Sequence, residues 1–124
     1  MAKSERSLSS AQLLLDAGDF DGAVNRAYYA CYDAARAVLE VVAGIDTSGI
    51  KSHAGLIRTF NLHIVKSGLL PLEIGSLIGR EEQLRLFADY GDGVRERAEA
   101  ELAVKQAGDF LTACFRLLRD EPLP

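Results

Sequence analysis

The stretch FDGAVNRAYYACYDAARAVLEVVA, residues 20–43, decides the fold. Phe20, Val24, Ala27, Tyr28, Cys31, Ala34, Ala35, Val38 and Val42 recur at steps of three and four, which places them along one side of an α-helix. Further alanines widen that stripe, as suits a helix packed on several neighbours. No proline precedes Pro71, and Ala, Leu, Arg and Glu, all good helix formers, dominate the chain.

The same periodicity extends outward. Leu8, Ala11, Leu14 and Leu15 predict a first helix over residues 4–17, ended by Gly18, after which Asp19 caps the second. GIDTSGI, residues 44–50, reads as a turn-rich connection. Leu56, Ile57, Phe60 and Ile64 define a third, shorter helix ending near Lys66, with Gly68 at its C-cap. Pro71 opens a fourth, whose inward face carries Ile74, Leu77, Ile78 and Leu84, which Gly75 and Gly79 weaken, and which stops near Gly91. Asp92 caps a last helix with Glu96 in its first turn, and Ala98, Leu102, Ala107, Phe110, Leu111, Cys114, Leu117 and Leu118 form its apolar stripe.

The expected fold is therefore all-α: an antiparallel up-and-down bundle of four long helices plus one shorter helix, a single domain over residues 1–120 with a frayed tail at 121–124. AGDF occurs at residues 17–20 and 107–110, but one copy spans a turn and the other lies mid-helix, so it marks no repeat.

Composition bounds the function. The chain has 124 residues, 48% apolar and 26% charged, the balance of a globular domain rather than a disordered one. No apolar run approaches the roughly 18 residues of a membrane span, and MAKSERS at the start lacks a secretory apolar segment, so a cytoplasmic protein without membrane contact is expected. Fourteen Lys and Arg against 18 Asp and Glu give a net charge of −4, the wrong sign for general phosphate coating, while leaving room for a local basic groove. Cys31 and Cys114 each sit among apolar residues and read as buried free thiols. Neither His53 nor His63 follows a Glu by three residues, and no phosphate-cradling glycine loop ends in Lys-Ser or Lys-Thr, so no metal site and no cofactor is expected.

Three groups of polar residues stand out. Asn25, Tyr29, Asp33, Arg36 and Glu40 share one face of the second helix, with Arg26 beside it and placed to pair with Asp33. That face is either a binding surface or a solvated one laced with weak ion pairs. His53 lies on the apolar side of the third helix, where partial burial is expected, and Lys51 brings positive charge to the same helix N-terminus. Arg85 and Asp89 are four apart, with Tyr90 next, and present either a guanidinium, carboxylate and phenol to a groove or a simple pair closing the helix.

The words DFDGAVNRAYYACYDAARAVL, KSHAGLI and LRLFADYGD, in this order and spread over nearly the whole chain, resemble the HEPN domain family. The resemblance is closest to the small single-domain prokaryotic members, several of which are encoded beside a minimal nucleotidyltransferase. It implies a helical bundle that forms a homodimer. It also implies action with a nucleotidyltransferase antitoxin in a toxin–antitoxin or stress and defence module, as an RNA-targeting toxin component. The alternative is a noncatalytic nucleotide- or RNA-binding module, or a helical interaction domain. Many family members are metal-independent ribonucleases whose motif is Arg, four to six residues, then His. The corresponding segment here offers Arg85, Asp89 and Tyr90 but no histidine, which leaves catalysis open. RTFNLH, residues 58–63, matches literally but falls on the third helix, where residues five apart diverge by about 140°.

The site implied by the resemblance therefore combines catalytic candidates Arg85, Asp89 and His53 with ligand-binding candidates Asn25, Arg26, Tyr29 and Lys51, and Tyr90 as an acceptor of AMP from the nucleotidyltransferase. In this arrangement Arg26 and Arg85 hold phosphate while His53 or Asp89 handles a proton.

Overall fold

A computed structural model describes residues 2–90 and 96–120, with side chains to residue 86 and again from residue 96. Six helices follow in order: α1 (Ala2–Asp16), α2 (Phe20–Val41), α3 (His53–Phe60), α4 (Leu72–Gly75), α5 (Leu77–Tyr90) and α6 (Arg97–Leu118). There is no strand among the described residues. The expected all-α bundle of four long helices and a shorter one is observed, with α4 as an additional single turn.

α2 is the hub. It packs against α1, α3, α5 and α6, and its stripe from Val24 to Val38 is withdrawn from water, with Ala23, Ala27, Ala30, Ala34 and Ala35 fully buried. α6, which packs on α2, is alanine-rich too, with Ala100, Ala103 and Ala107 fully buried. Side chains this small leave the bulk of the core to Phe60, Phe110, Leu39, Leu56 and Ile78. The Phe60 and Phe110 rings, 5.5 Å apart, join α3 to α6.

Local signals set the helix ends. Gly18 takes φ +85°, a left-handed value that ends α1, and the Asp19 carboxylate accepts a hydrogen bond from Gly22 N at 2.9 Å to start α2. Ser52 caps α3 in the same way through Gly55 N at 2.9 Å, which makes His53 its first helical residue. Residues 44–50 form the expected connection around a 3-10 turn, Thr47–Gly49, and Gly68 adopts φ +86° as a C-cap.

Three expectations are corrected. The third helix does not run on as a regular α-helix, because Lys66 N bonds Asn61 O and a π-turn, Asn61–Val65, follows α3. The fourth is divided into α4 and α5 at Ser76. The last described helix begins at Arg97 with Glu96 as its cap rather than within its first turn, and Glu96 and Glu99 form a reciprocal capping box. Its buried face runs through Ala100, Ala103, Ala107, Phe110, Leu111 and Cys114, so Ala98 and Leu102 are exposed. The five-residue step from Leu102 to Ala107 breaks helical register, which the alanines at 100 and 103 restore. Gly91, Asp92 and the tail at 121–124 lie outside the described residues.

Candidate functional site

α2 carries three tyrosines at positions i, i+1 and i+4, a spacing that spreads Tyr28, Tyr29 and Tyr32 over one broad face. Tyr28 is fully buried and the other two are half-buried. His53, at the first turn of α3, fills the space between them. Its ring stacks on Tyr28 with centroids 5.4 Å apart, lies 4.9 Å from Tyr32, and meets Tyr29 edge-on at 5.7 Å. The imidazole is thus held on three sides while 31% of its side chain stays accessible.

Arg85 reaches this cage from α5. Its guanidinium lies 4.8 Å from the Tyr28 ring centroid and its Nη2 is 3.4 Å from His53 Nδ1. Glu82, one turn earlier, grips the same guanidinium: Arg85 Nε donates to Glu82 Oε2 and Nη2 to Oε1, both at 3.2 Å. Glu82 Oε2 is also 3.9 Å from His53 Nδ1. Burial alone would lower the Arg85 pKa, but the hydrogen bonds and charge of Glu82 outweigh it and raise it. The Tyr28 hydroxyl, buried without a hydrogen bond of full geometry, has its pKa raised first by desolvation and then by the Glu82 charge.

Arg26 lies with its guanidinium 5.5 Å from the Tyr29 ring centroid and donates to Ser7 Oγ of α1 at 3.1 Å. Arg36 stands over Tyr32 at 5.2 Å and donates to the Tyr32 hydroxyl at 2.8 Å. Its other terminal nitrogen donates to Thr47 Oγ1 at 2.8 Å, and Thr47 in turn donates to Glu40, so the 3-10 turn is fastened to α2. Three arginines therefore lie against three tyrosines around one histidine, each guanidinium within 5.5 Å of a ring centroid.

Of the residues singled out from sequence, His53, Arg85, Tyr29 and Arg26 come together. Asn25 is half-buried one turn before Tyr29. The proposed Arg26–Asp33 pair does not form, because Arg26 is turned to α1 and Asp33 meets Lys3 at 3.7 Å. Lys51 is exposed and folds back onto Ser48 O at 3.1 Å, away from the imidazole. The side chains of Asp89 and Tyr90 lie outside the described residues. His63 and Arg58 are both exposed. A groove of about 540 Å³ bordered by Asn61, Lys66, Leu72, Gly79 and Arg80 contains none of the cage residues.

Sequence reasoning missed Tyr32 and Glu82 and placed Tyr28 in the core only. The tyrosine spacing was a signal that could have found the cage. Glu82 gave no such signal, since its neighbour Glu81 is identical in type. Among the described residues no group of three metal-binding side chains occurs, and no described helix is long and apolar enough to cross a membrane.

The sequence profile of the HEPN domain matches residues 1–118. The chain belongs to the HEPN domain family. A UPF0332 protein of Gloeobacter violaceus is 34% identical over 120 residues, covering 95% of this chain and 92% of that one. A Methanocaldococcus jannaschii protein named "Putative toxin MJ0605" is 32% identical over 116 residues, covering 94% and 84%. A UPF0332 protein of Thermotoga maritima is 33% identical over 114 residues, covering 91% and 83%. For a HEPN chain whose α5 segment lacks the usual histidine, the placement of His53 beside Arg85 is the feature with most chemical meaning.

Proposed function

We propose that this HEPN protein is a toxin-like component that acts on RNA, with the Arg85–His53 pair as its phosphodiester site. The observation that carries the reading is the 3.4 Å approach of Arg85 Nη2 to His53 Nδ1, which joins a guanidinium to an imidazole across two helices. When Arg85 donates to Nδ1, that nitrogen is an acceptor and Nε2 carries the proton. An incoming phosphate takes over the guanidinium, and the imidazole then accepts the proton of the ribose 2′-hydroxyl. The 2′-oxygen bonds to phosphorus, the bond from phosphorus to the 5′-oxygen breaks, and that oxygen takes a proton from water while the imidazolium later returns its proton to solvent. Arg85 balances the charge that builds on the phosphoryl oxygens. The relative named as a toxin supports this reading, as does the concentration of Arg26, Arg36 and Arg85 over stacking tyrosines, a pairing of cation and ring that suits single-stranded nucleic acid.

The test is RNA cleavage in EDTA by the wild-type chain beside Arg85→Ala and His53→Gln, all matched for helical content. Either substitution should cut the rate about 100-fold or more. Undiminished cleavage in both variants removes the site. Absence of cleavage in every form, together with RNA binding that Arg85→Ala weakens, makes the protein a noncatalytic RNA-binding module, a role that the engagement of Arg85 by Glu82 favours.

The wider assignment has three parts: a cytoplasmic homodimer, silenced by a minimal nucleotidyltransferase, with Tyr90 as acceptor of AMP. Tyr90 closes α5, five residues after Arg85. Light scattering, co-purification with a nucleotidyltransferase encoded next door and intact-mass measurement with ATP examine the three parts separately.

A further inference from the structure

The Glu82 carboxylate stands where a phosphate would stand. Its two oxygens face Arg85 Nε and Nη2 at 3.2 Å each, the two-pronged arrangement a guanidinium makes with a phosphate, and one of them is 3.9 Å from His53 Nδ1. Both side chains are largely withdrawn from water, at 15% for Arg85 and 17% for Glu82, so neither can be satisfied by solvent alone. An anion that approaches Arg85 in this state meets a position already filled by negative charge. The ring contacts of the cage stand apart from Glu82, since His53 is held by the tyrosines and Arg85 lies over Tyr28, although the Glu82 charge is felt at the Tyr28 hydroxyl.

We infer that Glu82 is an internal competitor for the site's own ligand, a carboxylate that occupies the phosphate position between Arg85 and His53 and must swing aside before a phosphodiester binds. The inference deepens the RNA reading and rests on it for the identity of the ligand, but the anion site itself does not depend on RNA. Glu82 precedes Arg85 by one helical turn, so a rotation of the Glu82 side chain toward solvent breaks its two hydrogen bonds to the guanidinium without movement of α5. The consequence is a site of low resting affinity, which opens only to an anion that offers more than a single carboxylate does.

The experiment uses Glu82→Gln, which keeps the shape and removes the charge, with two probes. Inorganic phosphate is titrated while the His53 ring resonances are followed by NMR, and a short single-stranded RNA is titrated by fluorescence anisotropy; the NMR spectrum itself reports that the variant is folded. Glu82→Gln should bind phosphate at His53 about tenfold more tightly than wild type, and RNA with a gain of similar size. Equal or weaker phosphate binding by the variant overturns the inference and makes Glu82 a support for Arg85. Tighter phosphate binding with no RNA binding by either form upholds the competitor and removes the RNA reading. RNA binding and phosphate binding that are both unchanged by the substitution uphold the RNA reading and remove the competitor.

Discussion

Glu81 is almost fully withdrawn from water, neither of its carboxylate oxygens has a hydrogen-bond partner among the described residues, and burial pushes its pKa up from 4.5 to about 9. A buried carboxyl in this state is held neutral at pH 7. Between pH 4.5 and 9 the folded chain keeps a proton that the unfolded chain releases, so this group's contribution to stability is complete below the lower value. It then falls as pH rises and levels off above the upper one. The slope it adds is at most about 1.4 kcal/mol per pH unit. Glu81→Gln should remove that slope, so its stability relative to wild type climbs from pH 5 to pH 9 in urea unfolding. Parallel pH profiles for the two proteins would mean that Glu81 is charged and solvated. Glu81 and Glu82 are adjacent and identical in type, so sequence does not tell one from the other. Only the rotation of α5 against α2 sends one into the core and the other to Arg85, and rotation is a property of packing that no residue pattern in α5 declares. His53 was more legible, because its spacing from Leu56 and Ile57 fixes its side of α3 whatever α3 packs against.

At the scale of elements, apolar periodicity and end signals identify α1, α2 and α3, since each combines a continuous stripe with a capping side chain or a left-handed glycine. The segment from Asn61 to Ser76 is less legible because its shape depends on close contacts rather than on propensity. Gly75 and Gly79 show the difference. A Cβ at Gly75 would collide with Val65 Cγ2 of the π-turn, whereas a Cβ at Gly79 has no neighbour within 4 Å. Gly75→Ala should therefore destabilise the protein by about 1–3 kcal/mol, the cost of overpacking. Gly79→Ala should stabilise it by about 0.5–1 kcal/mol, the difference in helix propensity. Thermal unfolding of the two variants checks both signs. A loss of stability at Gly79 would show that α5 does not keep its helical course there, and no loss at Gly75 would show that α4 can move away from the π-turn.

For the whole molecule, the contact between α2 and α6, the two longest helices, is one of the two most extensive, and both helices bury alanines. Cys31 on α2 and Cys114 on α6 are both fully buried in this layer, and desolvation raises the pKa of each thiol, with the Glu81 charge adding to the effect on Cys31. A thiol reagent needs the thiolate and needs access, and the fold denies both. Cys31 sits near the middle of α2, and Cys114, about one turn from the end of α6, is flanked by buried Leu111 and Ala113. Access requires separation of α2 from α6, which dismantles the core shared by every other helix. Both thiols should therefore react with a disulfide reagent only through global unfolding, at one common rate whose urea dependence matches that of the equilibrium transition. A Cys114 that reacts first, at a rate insensitive to urea, would show that α6 opens as a separate unit. The His53–Arg85 cage, built on α2, α3 and α5, would then remain assembled in a state that the alanine layer had already left.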